Sequence, residues 1–137
     1  MTDIALPTDL SYSADHEWVA VPYGGPVPTD AVRVGITSTA VESLGEIVFV
    51  ELPEAGAAVT AGQPCGEIES TKAVSDLFSP VTGQVVAVNP ALTDNPSLVN
   101  DDPFGEGWLF TVQIEALGEL KNAADYTAFV SGTETGR

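Results

Sequence analysis

The stretch Glu67-Ile68-Glu69-Ser70-Thr71-Lys72-Ala73-Val74-Ser75-Asp76 lies near the middle of the chain and decides how the rest is arranged. Strand-forming residues stand on both sides of Thr71 and Lys72, which predicts two short strands, over 66–70 and 73–78, joined by a sharp hairpin. Small neighbours would leave the ε-amine of the lysine open to an acylating enzyme. The hairpin pattern alone favours the simpler interpretation, a solvated lysine on a turn.

Outside the hairpin, short apolar segments alternate with turn signals, as is typical of a mainly β domain. They predict an irregular lead-in over 1–10, turns at 23–26 and 80–83, and strands over 16–21, 31–36, 46–52, 84–89 and 108–114. Thr37 or Ser38 can cap a short helix over 39–44 that ends at Gly45. From about Leu117 the apolar spacing becomes helical, which predicts a C-terminal helix over about 117–130.

Two parts of the sequence resemble each other. Residues 45–50 are similar to residues 83–88, and residues 64–67 are similar to residues 103–106 in the same order. We therefore expect two similar β-units that pack face to face and bury what neither could bury alone. The lysine has no counterpart in the second copy, so one hairpin tip is specialised.

The composition fits one domain over residues 1–137 and excludes several functions. Twenty acidic residues against four basic ones give a formal net charge of −16. Such a surface repels nucleic-acid phosphates and anionic membranes, so neither is an expected partner. It favours instead electrostatic steering toward basic patches on partner proteins.

The single cysteine, Cys65, cannot form an internal disulfide, and a reducing compartment is its natural setting. No stretch approaches the ~18 apolar residues that span a bilayer. Because the amino terminus shows neither a secretory signal nor a transit peptide, we expect the cytoplasm of a bacterium. The mitochondrial matrix would apply only to a processed chain.

No constellation in the sequence indicates intrinsic catalysis. His16 is the only histidine and has no Cys or His partners at metal-ligand spacing. Neither a Gly-x-Ser-x-Gly motif nor a phosphate loop is present. We expect a protein that is not an enzyme and binds no metal.

The residues around Lys72 closely resemble the lipoylation segment of the glycine cleavage H-protein family. The resemblance covers Glu69 to Asp76, followed by Ser79-Pro80-Val81-Thr82-Gly83. It extends in order over about residues 8 to 130, through 16–19, 34–37, 44–53 and 100–109.

This resemblance implies a barrel-sandwich hybrid fold, monomeric, with lipoate attached covalently to Lys72 at the hairpin tip. It also implies a carrier. The lipoyl arm would take the aminomethyl group of glycine from glycine decarboxylase (the P protein) to the tetrahydrofolate-dependent aminomethyltransferase (the T protein). Electrons would pass to dihydrolipoamide dehydrogenase (the L protein). A lipoate-attaching enzyme would be a further partner.

In the family, carboxylates near the hairpin shelter the loaded amine, and Glu17 and Asp76 match those positions here. An acidic pair suits a protonated amine, although both residues also fit a generally acidic surface. Asp15 stands where relatives often carry a small hydroxyl residue. Thr71 replaces a common Val.

Three alternatives remain open from the sequence. A lipoyl domain serving 2-oxoacid dehydrogenases shares the hairpin but is shorter and usually carries Asp before the lysine. A biotin carrier usually has Met beside the lysine, where this chain has Thr71 and Ala73. A lipoate-relay protein would pass lipoyl groups to other carriers.

Overall fold

A computed structural model describes residues 6–131 of the chain. These residues form nine strands and four short helices. In chain order they are β1 (Ser11–Tyr12), β2 (Glu17–Val19), β3 (Val32–Ile36), α1 (Ser38–Leu44), β4 (Ile47–Glu51), β5 (Ala58–Val59), β6 (Pro64–Ser70), β7 (Val74–Phe78), β8 (Val81–Val88), α2 (Ala91–Asp94), α3 (Leu98–Asp101), β9 (Phe110–Leu117) and α4 (Ala123–Ser131).

Two antiparallel sheets carry the fold. The larger has the strand order β1-β2-β3-β9-β8-β5, and the smaller has the order β4-β6-β7. Their inward-facing residues form one apolar core, which includes Val34 and Val112 of the larger sheet and Ile68 and Leu77 of the smaller one. The predicted mainly β architecture is therefore confirmed.

The helix expected after the second strand is present with both of its predicted ends. Thr37 is the N-cap, and its Oγ1 accepts a hydrogen bond from the Ala40 amide at 3.3 Å. Gly45 ends the helix at φ 84°, a conformation that favours glycine. The Gly45 amide donates to the Val41 carbonyl at 2.9 Å, which satisfies one of the last helical acceptors.

The expected helix over 117–130 begins too early. Leu117 still belongs to β9 and pairs with Val81, and the helix starts only at Ala123. Asn122 defines this start, because its Oδ1 accepts from the Asp125 amide at 2.7 Å and caps the first turn. Leu120 fits the helical spacing, yet it packs against the main core from the preceding loop.

The expected turn over 80–83 is also wrong in part, because β8 already begins at Val81. Val81 and Val85 are buried on one face of this strand. Gly83 lies between them at a register shift, so the sequence does not show the alternation of apolar and polar residues that marks a strand. The sequence patterns also missed β1, β5, α2 and α3, each of which has four residues or fewer. The lead-in over 1–10 is irregular from residue 6 onward, and residues 1–5 lie outside the described range.

The internal resemblance corresponds to structure in its first half. Residues 45–50 lead into β4 of the small sheet, and residues 83–88 lie in β8 of the large sheet. In the second half, Pro64 begins β6, whereas Pro103 lies in a turn before β9. The two units are thus unequal, with three strands in one sheet and six in the other.

A second, smaller apolar cluster fastens α4 to the large sheet. Leu10, Tyr12, Trp18 and Tyr126 are buried in it. Trp18 covers Gly35, where any side chain would collide with it, because a Cβ there would lie 2.6 Å from the indole ring. Among residues 6–131, no helix is long and apolar enough to cross a membrane.

Gly83 lies where β8 passes close to β9. A Cβ at this position would lie 2.1 Å from the Gln113 carbonyl oxygen, so Gly83→Ala must push the two strands apart. We expect the free energy of unfolding to fall by about 1–3 kcal/mol, as for other overpacked sites. Urea denaturation followed by tryptophan fluorescence measures the change.

The neighbouring residue provides the control for this substitution. Gln84 is exposed on the same strand, so Gln84→Ala should cost less than about 1 kcal/mol. Equal stabilities of the Gly83→Ala and wild-type proteins would contradict the close approach of the strands.

Candidate functional site

Lys72 lies at the tip of the β6–β7 hairpin, as predicted. The Ser70 amide donates to the Ala73 carbonyl at 2.8 Å and closes a loop whose two central residues are Thr71 and Lys72. The hydroxyl of Ser70 accepts from the amides of Lys72 and Ala73 at 3.3 and 3.1 Å. Because Ser70 is buried and Lys72 is exposed, the turn is fixed from beneath while the lysine projects outward.

The junction between α1 and β4 supports this tip. The Thr71 amide donates to the Glu46 carbonyl at 3.0 Å, and the Asn100 side chain donates to the Gly45 carbonyl at 2.8 Å. The stem of Lys72 passes over Gly45, where a Cβ would lie 3.5 Å from the lysine Cε. The lysine therefore projects from a braced hairpin.

Glu17 is a buried carboxyl group, with a side-chain exposure of only 2%. Its Oε1 accepts from the Ser13 hydroxyl at 2.6 Å, and its Oε2 accepts from the Phe78 amide at 3.3 Å. The Glu17 amide donates back to Ser13 Oγ at 3.1 Å. This carboxyl thereby connects β2 of the large sheet to β7 of the small one.

Burial raises the pKa of Glu17 to about 8, and the charge of Asp15 adds to this effect. The hydrogen bonds from Ser13 and Phe78 act in the opposite direction. Near neutral pH this carboxyl is therefore largely protonated. Burial, with a smaller contribution from Glu17, raises the pKa of the nearby Cys65 to about 12, so that thiol stays protonated as well.

Asp76 lies on the same strand as Phe78 but in a different environment. Its side chain is exposed on the outer face of the small sheet, directly opposite Glu67, which in turn is opposite Glu51. Two residues of strand separate Asp76 from the amide that binds Glu17, a distance of about 7 Å. Glu17 and Asp76 therefore both lie at β7. The Glu17 carboxyl contacts this strand from beneath the surface, whereas Asp76 projects from its exposed face.

The residues around His16 lie next to Glu17 at the start of β2. Asp15 is exposed, whereas His16 is partly buried, and its Nδ1 lies 2.7 Å from the hydroxyl of Tyr126 on α4. Sequence patterns missed both Tyr126 and Ser13. Ser13 stands four residues before Glu17 in a loop, and Tyr126 was read only as an apolar position of the C-terminal helix, so neither position gave a signal.

The buried carboxyl of Glu17 should make the stability of the protein depend on pH. Because folding raises the pKa of Glu17 from 4.5 to about 8, its contribution to stability is fully present below about pH 4.5 and is lost as the pH rises through about 8. Glu17→Gln cannot titrate, and it keeps both contacts when its amide oxygen accepts from the Phe78 amide and its NH2 group donates to Ser13 Oγ. Relative to this variant, we expect wild-type unfolding free energy to fall on the order of 4 kcal/mol between pH 4.5 and 8.

Chemical denaturation at a series of pH values measures this difference. Glu115→Gln is the control, because Glu115 is exposed on β9 and its removal should leave the wild-type pH dependence in place. Parallel curves for wild type and Glu17→Gln would show that Glu17 ionises freely in the folded protein.

Comparison with known proteins agrees with this geometry. The model of the glycine cleavage H-protein family matches residues 10–134. A glycine cleavage system H protein of Beutenbergia cavernae is 57% identical over 129 residues, 94% of this chain and 99% of the relative. One from Corynebacterium jeikeium is 57% identical over 124 residues, 90% and 96% of the two chains.

A solved structure gives the same result. The crystal structure of a glycine cleavage system H protein from Mycobacterium marinum superposes with a TM-score of 0.89 at 54% identity, covering 93% of this chain and 99% of the other. This match confirms the barrel-sandwich hybrid fold. The chain belongs to the glycine cleavage H-protein family.

Proposed function

We propose that this protein is the lipoyl-lysine carrier of a glycine cleavage system, with lipoate attached to Lys72. The observation that carries the proposal is the braced hairpin, which exposes Lys72 at its tip in a chain of this family. The names of the relatives favour this role over a lipoyl domain of a 2-oxoacid dehydrogenase or a dedicated lipoate-relay protein.

The carrier presents its lipoyl arm to the active sites of other proteins and catalyses no reaction of its own. Lipoate, when bound, supplies a reversible disulfide on a flexible tether. The Lys72 amine contributes the amide bond that anchors it, and the hairpin fixes the point from which the arm moves. Tethering raises the effective concentration of the cargo at each active site that the arm visits. A single domain, acting as a monomer in the bacterial cytoplasm, is sufficient for this role.

Its partners are the P, T and L proteins of the system, together with the enzyme that attaches lipoate. Beside Lys72, the outer face of the small sheet carries the aligned carboxylates of Glu51, Glu67 and Asp76. Phe49 and Val74 are 54% and 61% exposed on the same face. Like charges opposite one another on neighbouring strands destabilise a sheet, so a row of three carboxylates fits a surface that meets basic partners.

Glu17 and Asp76 shelter the aminomethyl cargo in this proposal. Premature release of the cargo from its sulfur requires the nitrogen lone pair to push out the thiolate, so holding the amine as a cation slows that release. A largely protonated Glu17 can transfer its proton to a neutral amine, which leaves an ammonium beside a carboxylate. Asp76 adds a carboxylate on the surface of β7, about 7 Å along the strand from Phe78, whose amide binds Glu17.

The modification site is tested with two lysine variants. Lys72→Arg should remain unmodified after expression with a lipoate-attaching enzyme, because arginine cannot form the amide. Lys121→Arg should be modified like wild type, since Lys121 lies over the Phe129 ring and far from the hairpin in sequence. Intact mass and peptide mapping measure the result, and lipoate on the Lys72→Arg protein would refute the assignment.

The shelter is tested by the lifetime of the loaded carrier in the absence of the T protein. Asp76→Asn and Glu17→Gln should each shorten the lifetime. We expect about a tenfold effect if the lost charge-assisted hydrogen bond is shielded from water, and a smaller effect if it is exposed to solvent. Release of formaldehyde measures the decay, and Glu115→Gln is the matched charge control.

The outcomes of this experiment separate the two carboxyl groups. A shorter lifetime in Asp76→Asn alone would make Glu17 a core residue and not part of the shelter. Wild-type lifetimes in both variants would remove both residues from the site while leaving Lys72 in place.

A further inference from the structure

Tyr126, in the C-terminal helix, connects two segments that flank the carrier hairpin. Its side chain is completely buried and its ring stacks on Tyr12, with centroids 5.1 Å apart. Its hydroxyl lies 2.7 Å from His16 Nδ1 and 2.8 Å from Thr37 Oγ1. One buried hydroxyl thus joins α4 to the turn before β2 and to the start of α1.

The first of these segments is held in an unfavourable conformation. His16 has φ 72° and is the only non-glycine residue with positive φ in residues 6–131. A left-handed residue with a side chain costs on the order of 1 kcal/mol and persists only where its surroundings fix it. The His16 amide donates to the Ser13 carbonyl at 3.1 Å, and the His16 carbonyl accepts from Thr37 at 2.9 Å.

This strained turn determines where the next residue points. The chain folds back at His16 so that Ser13 faces the carboxyl of Glu17 and accepts a hydrogen bond from the Glu17 amide. If His16 relaxed to an extended conformation, Ser13 and Glu17 would separate. The hydrogen bond between the Tyr126 hydroxyl and the imidazole joins this turn to the C-terminal helix.

The second segment leads to the lysine. Thr37 caps α1, and the other end of that helix is Gly45, over which the Lys72 stem passes. Tyr126 therefore contacts the start of a seven-residue helix whose end supports the hairpin tip. One hydroxyl group thus contacts both flanks of the site.

We propose that Tyr126 is a positioning residue for the carrier site, which it stabilises by holding the 13–17 turn and the start of α1 in place. The proposal rests on the carrier function given above and deepens it. A consistent set of hydrogen bonds exists: Tyr126 donates to His16 Nδ1, Thr37 donates to the Tyr126 oxygen, and the Ala40 amide donates to Thr37. It requires a neutral His16, in line with a pKa that burial lowers against the opposing effect of Asp15.

The experiment compares Tyr126→Phe with Tyr12→Phe. Both variants lose one phenolic hydroxyl from the same stacked pair, but the Tyr12 hydroxyl bonds the Pro7 carbonyl and contacts neither His16 nor Thr37. In Tyr126→Phe, His16 should titrate at a higher pH in NMR spectra, because the donor to its neutral form is gone. Amide exchange of residues 13–17 should accelerate about three- to tenfold, as for the loss of one hydrogen bond.

The loaded carrier gives the functional readout. Its lifetime without the T protein should shorten about three- to tenfold in Tyr126→Phe and stay at the wild-type value in Tyr12→Phe. Thr37→Val, which removes the partner hydroxyl, should reproduce the faster exchange in residues 13–17. Thr37→Ser keeps the hydroxyl and should show the wild-type exchange rate in residues 13–17. The two Thr37 variants therefore test the proposal even if Tyr126→Phe folds poorly.

Each outcome decides the proposal. Wild-type His16 titration and exchange in Tyr126→Phe, or equal changes in both tyrosine variants, would overturn it. The titration and exchange are measured on unmodified protein, so they stand even if Lys72 is not lipoylated. A failure of lipoylation is therefore distinguishable from a failure of positioning.

Discussion

A buried carboxyl group between the two sheets constrains the whole site. Glu17 takes one hydrogen bond from Ser13 in its own turn and another from Phe78 on the small sheet. Since β7 is the edge strand of that sheet, its outer amides need partners, and Glu17 supplies an acceptor for one of them. The sheet that carries the lysine is thus joined to the larger sheet by a polar contact at its edge as well as by apolar packing.

This contact costs energy that an apolar pair would not. An ionised carboxyl with an exposure of 2% would lose most of its hydration, and the folded protein responds by keeping the proton on Glu17 to about pH 8. The same property suits the proposed role, because a buried acid can give up its proton when a basic amine arrives.

The sequence predicted those features that depend on neighbouring residues. The β6–β7 hairpin, the Thr37 cap and the Gly45 terminus are all local, and each is confirmed. The start of α4 and the start of β8 were wrong because tertiary contacts overrode the local pattern. Leu117 has helical spacing but pairs with Val81, and Gly83 interrupts an alternation that the strand itself continues.

The site was predictable only in part for the same reason. Lys72 stands out because a chain with 20 acidic residues has few lysines, and its neighbours form a recognisable hairpin. Glu17 and Asp76 matched a family pattern, but no pattern shows that one carboxyl is buried and the other exposed. Tyr126 acts across 110 residues of sequence from His16, and only the folded structure brings the two together.

Acylation of Lys72 would change the electrostatics of the hairpin. The chain has four basic side chains: Arg33 lies over the Trp108 ring, Lys121 lies over Phe129, and Arg137 is outside the described residues. The fourth, Lys72, stands at the tip of the sheet that carries the aligned carboxylates. Amide formation removes its positive charge and takes the formal net charge from −16 to −17. The attaching enzyme would therefore meet a cation beside an acidic face, whereas the partners of the modified carrier would meet the acidic face alone.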